Sequence, residues 1–86
     1  MKASHILVST LEQAQSILAE ANALNFGALA QQHSSCPSKA RGGDLGDFGP
    51  GQMVKPFEDA TVATPVGSIS QPVQTQFGWH LIHRTA

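Results

Sequence analysis

Cysteine is almost missing from this sequence: Cys36 is the single one among 86 residues. An internal disulfide is therefore excluded, and with it the covalent staples that small extracellular domains use, so a reducing, cytoplasmic setting is expected. Net charge is almost missing too. Five Lys and Arg against six Asp and Glu leave a formal charge of -1. That balance offers no electrostatic attraction to nucleic acid or to an anionic membrane surface, and neither is expected as a partner. No stretch approaches the roughly 18–20 consecutive apolar residues of a membrane span, and Met1-Lys2-Ala3-Ser4-His5 lacks the apolar run and cleavage pattern of a secretory leader. Internal repeats, linkers and low-complexity tracts are absent. The chain is too short to bury a second core, so residues 1–86 are expected to form one domain, and the 41% hydrophobic content suffices for a globular one.

What is present reads as alternating short elements. Residues 3–8 form an apolar run with Ile6 and Val8 on one side and His5 and Leu7 on the other, which predicts a strand. Ser9 with Glu12 three residues on is a capping-box pattern, and Leu11, Ala14, Ile17, Leu18, Ala21 and Leu24 then recur at helical spacing. Asn25 opens a second helix whose face carries Phe26, Leu29, Ala30 and a half-buried His33, before Ser34-Ser35-Cys36-Pro37 stops it. Residues 34–51 hold five glycines and two prolines, which leaves room only for a short strand over 45–48. A loop of this length is usually functional or disordered, and Leu45, Phe48, Met53 and Phe57 are too apolar for disorder. Pro56 suits the first turn of a short helix carrying Phe57 and Ala60. Two strands, 69–73 and 78–84, close the chain around Gln74-Thr75-Gln76-Phe77. Strand, helices, strand, helix, hairpin is an α+β order.

Four histidines and one cysteine invite a zinc site, but His80 and His83 lie three apart on a strand and point to opposite faces, so no metal is expected. The glycine run from Gly42 to Gly51 lacks the Gly-Lys-Ser/Thr ending of a phosphate cradle, and its two aspartates would repel phosphate. Cys36 with His5 or His80 permits a nucleophilic dyad, whereas a lone cysteine is more often a small buried apolar residue. On spacing alone, Leu45, Met53 and Phe57 read as core.

Longer motifs carry a resemblance. Ser4-His5-Ile6-Leu7-Val8, His33-Ser34-Ser35-Cys36-Pro37-Ser38, Arg41-Gly42-Gly43-Asp44-Leu45-Gly46-Asp47-Phe48, Gly51-Gln52-Met53-Val54 with Pro56-Phe57-Glu58, and Thr75-Gln76-Phe77-Gly78-Trp79-His80-Leu81-Ile82 follow one another along the whole chain. In that order and approximate spacing they resemble the parvulin family of peptidyl-prolyl cis/trans isomerases. The resemblance implies a four-stranded antiparallel sheet surrounded by helices, with two motif histidines close together on adjacent central strands. It implies catalytic roles for His5, Cys36 and His80, with Cys36 at a position where parvulins place Cys or Asp. It also implies a substrate-proline pocket at Leu45, Met53 and Phe57, open to substrate, with Gln52, Thr75 and Phe77 near the rim. No cofactor is implied. The partners it implies are proline-containing polypeptides bound by a monomer that assists folding, or, in a non-catalytic version, a chaperone-like binding module using the same cleft. Only Ser9 and Thr10 separate the first strand from the first helix, with no basic cluster, so a preference for phosphoserine before proline is not expected.

Overall fold

The computed structural model describes all 86 residues. Its first strand, β1 (Lys2–Val8), buries both faces, as alternating apolar residues on a central strand should. Four strands line up in the order β2-β1-β4-β3, every neighbouring pair antiparallel: β2 is Asp44–Asp47, β3 Val73–Thr75 and β4 Gly78–Arg84. In the register of β1 with β4, His5 stands opposite Ile82, Ile6 opposite Leu81 and Leu7 opposite His80. Cross-strand partners share a face, so His5, Leu7, His80 and Ile82 point one way and Ile6, Val8 and Leu81 the other.

Helices α1 (Leu11–Glu20) and α2 (Phe26–His33) cover the second of these faces, where Ile6, Val8, Ala14, Ile17, Phe26, Leu29, Ala30 and Leu81 make the larger core. Helix α3 (Lys55–Ala63) covers the first, where Ala3, Phe48, Phe57 and Ile82 make a smaller one. The Arg84 guanidinium closes the C-terminal end of α3, donating from Nη1 to Thr64 O at 3.2 Å, a cation where the helix dipole favours one.

Several local expectations shift. Thr10, not Ser9, caps α1: its hydroxyl accepts from the Gln13 N–H at 3.2 Å, while Ser9 bonds the Gln13 side chain. The helix stops at Glu20, and Leu24 is 97% exposed instead of continuing the apolar stripe. The cause is a side-chain turn, since Asn22 Oδ1 accepts from the N–H groups of Leu24 and Asn25. Asn25 precedes α2 without capping it; its amide donates back to Glu20 O and so closes α1. His33 is exposed, not half-buried, whereas His83 packs its ring on Phe26 at 5.4 Å. Residues 37–41, expected as loop, wind into a 3-10 helix, with Pro37 opening it and left-handed Gly42 ending it. The expected strand over 69–73 shrinks to Val73–Thr75. Residues 67–70 still run beside β4, but the Ser70 hydroxyl takes the Ile82 N–H in place of a backbone carbonyl, and Pro72 has no N–H to give.

Candidate active site

The register that puts His5 and His80 on one face brings their side chains together. Their Nδ1 atoms lie 2.9 Å apart and the rings stack with centroids at 5.1 Å and an interplanar angle of 19°. On its other nitrogen, His80 Nε2 meets the Thr75 hydroxyl at 2.7 Å, and that hydroxyl also accepts the Phe77 N–H at 3.2 Å. Phe57, projected from α3, turns its edge geometry on both imidazoles, at 5.5 Å from His5 and 5.2 Å from His80.

Burial governs the charge of this pair. Both histidines are at most 5% exposed. Burial pulls the His5 pKa down to about 4, with the neighbouring His80 lowering it further, and burial brings His80 to about 4 as well. At neutral pH both rings are uncharged, and one proton occupies the space between the two Nδ1 atoms. Neither ring has a nitrogen turned freely to solvent: His5 Nε2 is buried and His80 Nε2 is held by Thr75. Such imidazoles suit a fixed, neutral floor better than a general base reaching into a substrate.

Cys36 lies between α2 and the 3-10 helix, half-buried and with a free thiol. Ser34, which the sequence motif contained without assigning it work, braces this position. Its hydroxyl accepts the Leu7 N–H at 3.0 Å and the Cys36 N–H at 3.3 Å, and Ser35 N donates to Leu7 O, so the segment is laced to β1 beside His5. No hydrogen bond joins the Cys36 thiol to either imidazole, so the pairing that activates a cysteine nucleophile is not formed. A serine that directly follows a helix and precedes a Cys-Pro pair was the available signal for that brace.

The pocket residues divide by depth. Leu45 and Met53 are half-buried against the smaller core, and Phe77 stands 61% exposed on the hairpin between β3 and β4. Phe57 is 3% exposed, so it forms the underside of the site and not an open wall. Gln52 is exposed and spends its side-chain oxygen on the Gly49 N–H at 2.6 Å, which shapes the loop leading to Met53. The two grooves in the surface, each about 350 Å³, lie elsewhere. One is bordered by Val8, Glu12, Ile17 and His33, the other by Ala60, Pro65, Ile69 and Val73. The histidine pair borders neither of them. His80 and His83 do point to opposite faces of β4, the former to Phe57 and the latter to Phe26.

An antiparallel sheet in this order, with paired histidines on its two middle strands, defines a class, and comparison with known proteins agrees. The family model described as Rotamase, PPIC-type PPIASE domain, matches residues 5–86, and the chain belongs to that family, the parvulin-type peptidyl-prolyl isomerase domains. It is 47% identical to foldase protein PrsA 4 of Bacillus cereus over 99% of its own length and 31% of that protein. It is 59% identical to the peptidyl-prolyl cis-trans isomerase Pin1 of Digitalis lanata over 71% of its length and 52% of that protein. The chain therefore spans about a third of the foldase and about half of the plant isomerase. Among solved structures, the PrsA peptidylprolyl isomerase of Bacillus cereus superposes with a TM-score of 0.90 at 46% identity, over all of this chain and 34% of that one. The parvulin of Nitrosopumilus maritimus superposes with a TM-score of 0.86 at 42% identity, over all of this chain and 95% of that one.

Proposed function

We propose that this chain accelerates cis/trans rotation about X-Pro bonds in unfolded or flexible polypeptide and so assists protein folding, residues 1–86 acting as a single domain and a monomer. The observation that carries the reading is the neutral His5–His80 pair, held by Thr75 and packed edge-on by Phe57 on the α3 face of the sheet. Isomerisation makes and breaks no covalent bond. It needs a surface that grips the proline ring and an environment kinder to the twisted amide than to the planar one. Amide resonance sets a barrier of about 18–20 kcal/mol, and the twisted state loses that resonance and much of its charge separation. A ten-thousandfold acceleration needs about 5.5 kcal/mol, within reach of ring burial, orientation and one or two improved hydrogen bonds in a water-poor site.

In this account Leu45, Met53 and Phe77 contact the proline ring and its neighbours, Phe57 supports them from below, and Gln52 and Thr75 border the rim. His5, Cys36 and His80 set the polarity around the rotating carbonyl. A reducing, cytoplasmic setting, in which the single Cys36 thiol would stay reduced, is part of this proposal. No helix is long and apolar enough to cross a membrane.

Only Ser9 and Thr10 separate β1 from α1, so a dianionic phosphate would meet no basic cluster there, and Lys39 and Arg41 stand exposed on the 3-10 helix. Exchange spectroscopy on matched Ala-Pro and phosphoserine-Pro peptides tests both parts of the proposal. Accelerated exchange, at least as fast for the unphosphorylated peptide, is expected. Shifted peptide resonances with unchanged exchange rates would replace the enzyme by a binding module. A strong phosphopeptide preference at moderate salt would overturn the specificity and direct attention to Lys39 and Arg41.

A further inference from the structure

The motif Pro56-Phe57-Glu58 ends on a residue to which the histidine site gives no task. Glu58 lies in the first turn of α3, where a carboxylate ordinarily serves the unpaired N–H groups of its own helix, and α3 has no side-chain cap. Its Oε1 instead reaches back seven residues and accepts the Gly51 N–H at 2.6 Å. The loop that receives it, residues 49–52, is closed on itself: the Gln52 N–H donates to Gly49 O at 3.3 Å, and the Gly49 N–H donates to Gln52 Oε1 at 2.6 Å. Packing does not hold this loop. Pro50, Gly51 and Gln52 are exposed, and a Cβ at Gly49 or Gly51 would meet no atom within 4 Å. The Glu58 carboxylate makes the one side-chain hydrogen bond that ties the loop to α3, and Met53 follows directly on the tied segment, half-buried against the smaller core.

We infer that Glu58 is a positioning residue for substrate binding: by holding the Gly51 N–H it fixes the 49–52 loop on α3, and with the loop the side chain of Met53 in the place from which it grips the proline ring. The inference rests on the isomerase reading and deepens it by separating grip from turnover. Glu58 makes no hydrogen bond to the histidine pair, whose side chains bond each other and Thr75. What it fixes therefore acts on the ring, which is held alike in the planar and the twisted amide. Loosening such uniform binding raises KM and leaves kcat in place. The tether needs reach and an acceptor oxygen, not charge. Glu58→Gln keeps both without the charge, whereas Glu58→Asp keeps the charge and the favourable place near the helix N-terminus but is one methylene short.

These two variants, with Glu58→Ala, are compared with Asp59→Asn, which removes the exposed Lys55–Asp59 ion pair from the same helix and leaves the tether intact. Amide relaxation and hydrogen exchange should show Gly51, Gln52 and Met53 loosened in Glu58→Asp and Glu58→Ala and unchanged in Glu58→Gln and Asp59→Asn. Exchange spectroscopy across a range of Ala-Pro peptide concentrations should give a KM raised roughly tenfold in the two loosened variants, the effect of about one charge-assisted hydrogen bond, with kcat little changed. A mere loss of folded protein would lower the apparent kcat at constant KM. An undisturbed loop in Glu58→Asp and Glu58→Ala, a loosened loop with wild-type KM, or impairment of Glu58→Gln but not of Glu58→Asp would overturn the inference. A wild type that fails to accelerate peptide exchange would defeat the isomerase reading instead. Titration of the same peptide, followed by its shifts, would then decide the role of Glu58 by whether affinity falls roughly tenfold with the loosened loop.

Discussion

The two faces of the sheet differ in what they contain and in how tightly they close. Against α1 and α2 the sheet buries eight apolar residues and no titratable one, with Phe26, Ala30, Ile6 and Leu81 at or below 1% exposure. Against α3 only four apolar residues are fully buried, two histidines lie among them, and Leu45, Met53 and Val73 are left half open. A domain of this size has little stability to spare, so concentrating apolar burial on one face frees the other to hold polar groups and an incomplete surface. The fold is secured on one side and left partly open on the other.

The sharpest way to break that division is a truncation on each face. Phe26→Ala should cost about 3–5 kcal/mol, enough to unfold much of the protein at room temperature, while the molecules that remain folded in the cold retain near-normal turnover. Phe57→Ala should cost a similar amount and also lower turnover per folded molecule, because the same ring supports both imidazoles. Thermal melts paired with exchange rates separate the two, and a Phe57→Ala protein of normal turnover would erase the distinction between the faces. Met53→Ala should show the converse pattern, losing under about 2 kcal/mol of stability and roughly tenfold in kcat/KM, since Met53 is only half-buried.

Acid sharpens the comparison with a milder effect. The folded pKa of both histidines lies near 4, below the ordinary 6.5, so the unfolded chain binds more protons between those values. Their contribution to stability is therefore complete above about pH 6.5 and is lost as pH falls toward about 4. Melting temperatures should decline across that window in the wild type and less steeply in His80→Asn. Equal slopes would mean the pair does not titrate as buried neutral rings. The smallest effect is expected at the free thiol: Cys36→Asp should keep isomerase efficiency within about tenfold, because no nucleophile is required. A folded but inactive Cys36→Asp protein, with an acyl adduct on the wild-type sulfur seen by mass spectrometry, would instead mark a hydrolase.

How far the sequence could be read followed the same two faces. Apolar periodicity placed β1, α1, α2 and β4 and most of the larger core, because burial on that face obeys helix and strand periods. Where side chains replaced backbone partners, periodicity misled: Asn22 ended the stripe before Leu24, and the Ser70 hydroxyl interrupted a strand. The 3-10 helix carried its own start and stop in Pro37 and Gly42, hidden by the glycines that follow. At the site, motif resemblance rather than residue spacing pointed to His5 and His80, which lie 75 positions apart and meet only through strand register. The depth of Phe57 and the brace of Ser34 depend on packing that no local pattern encodes.

The most direct measurement follows backbone and methyl resonances of the protein while it turns over an unphosphorylated Ala-Pro peptide. The account predicts exchange broadening that tracks the peptide's cis/trans rate at Leu45, Met53, Thr75 and Phe77 and around Cys36, with the α1 and α2 face silent. Broadening centred on α1 and α2, or peptide binding at the histidine face with no change in the peptide's own exchange rate, would contradict it.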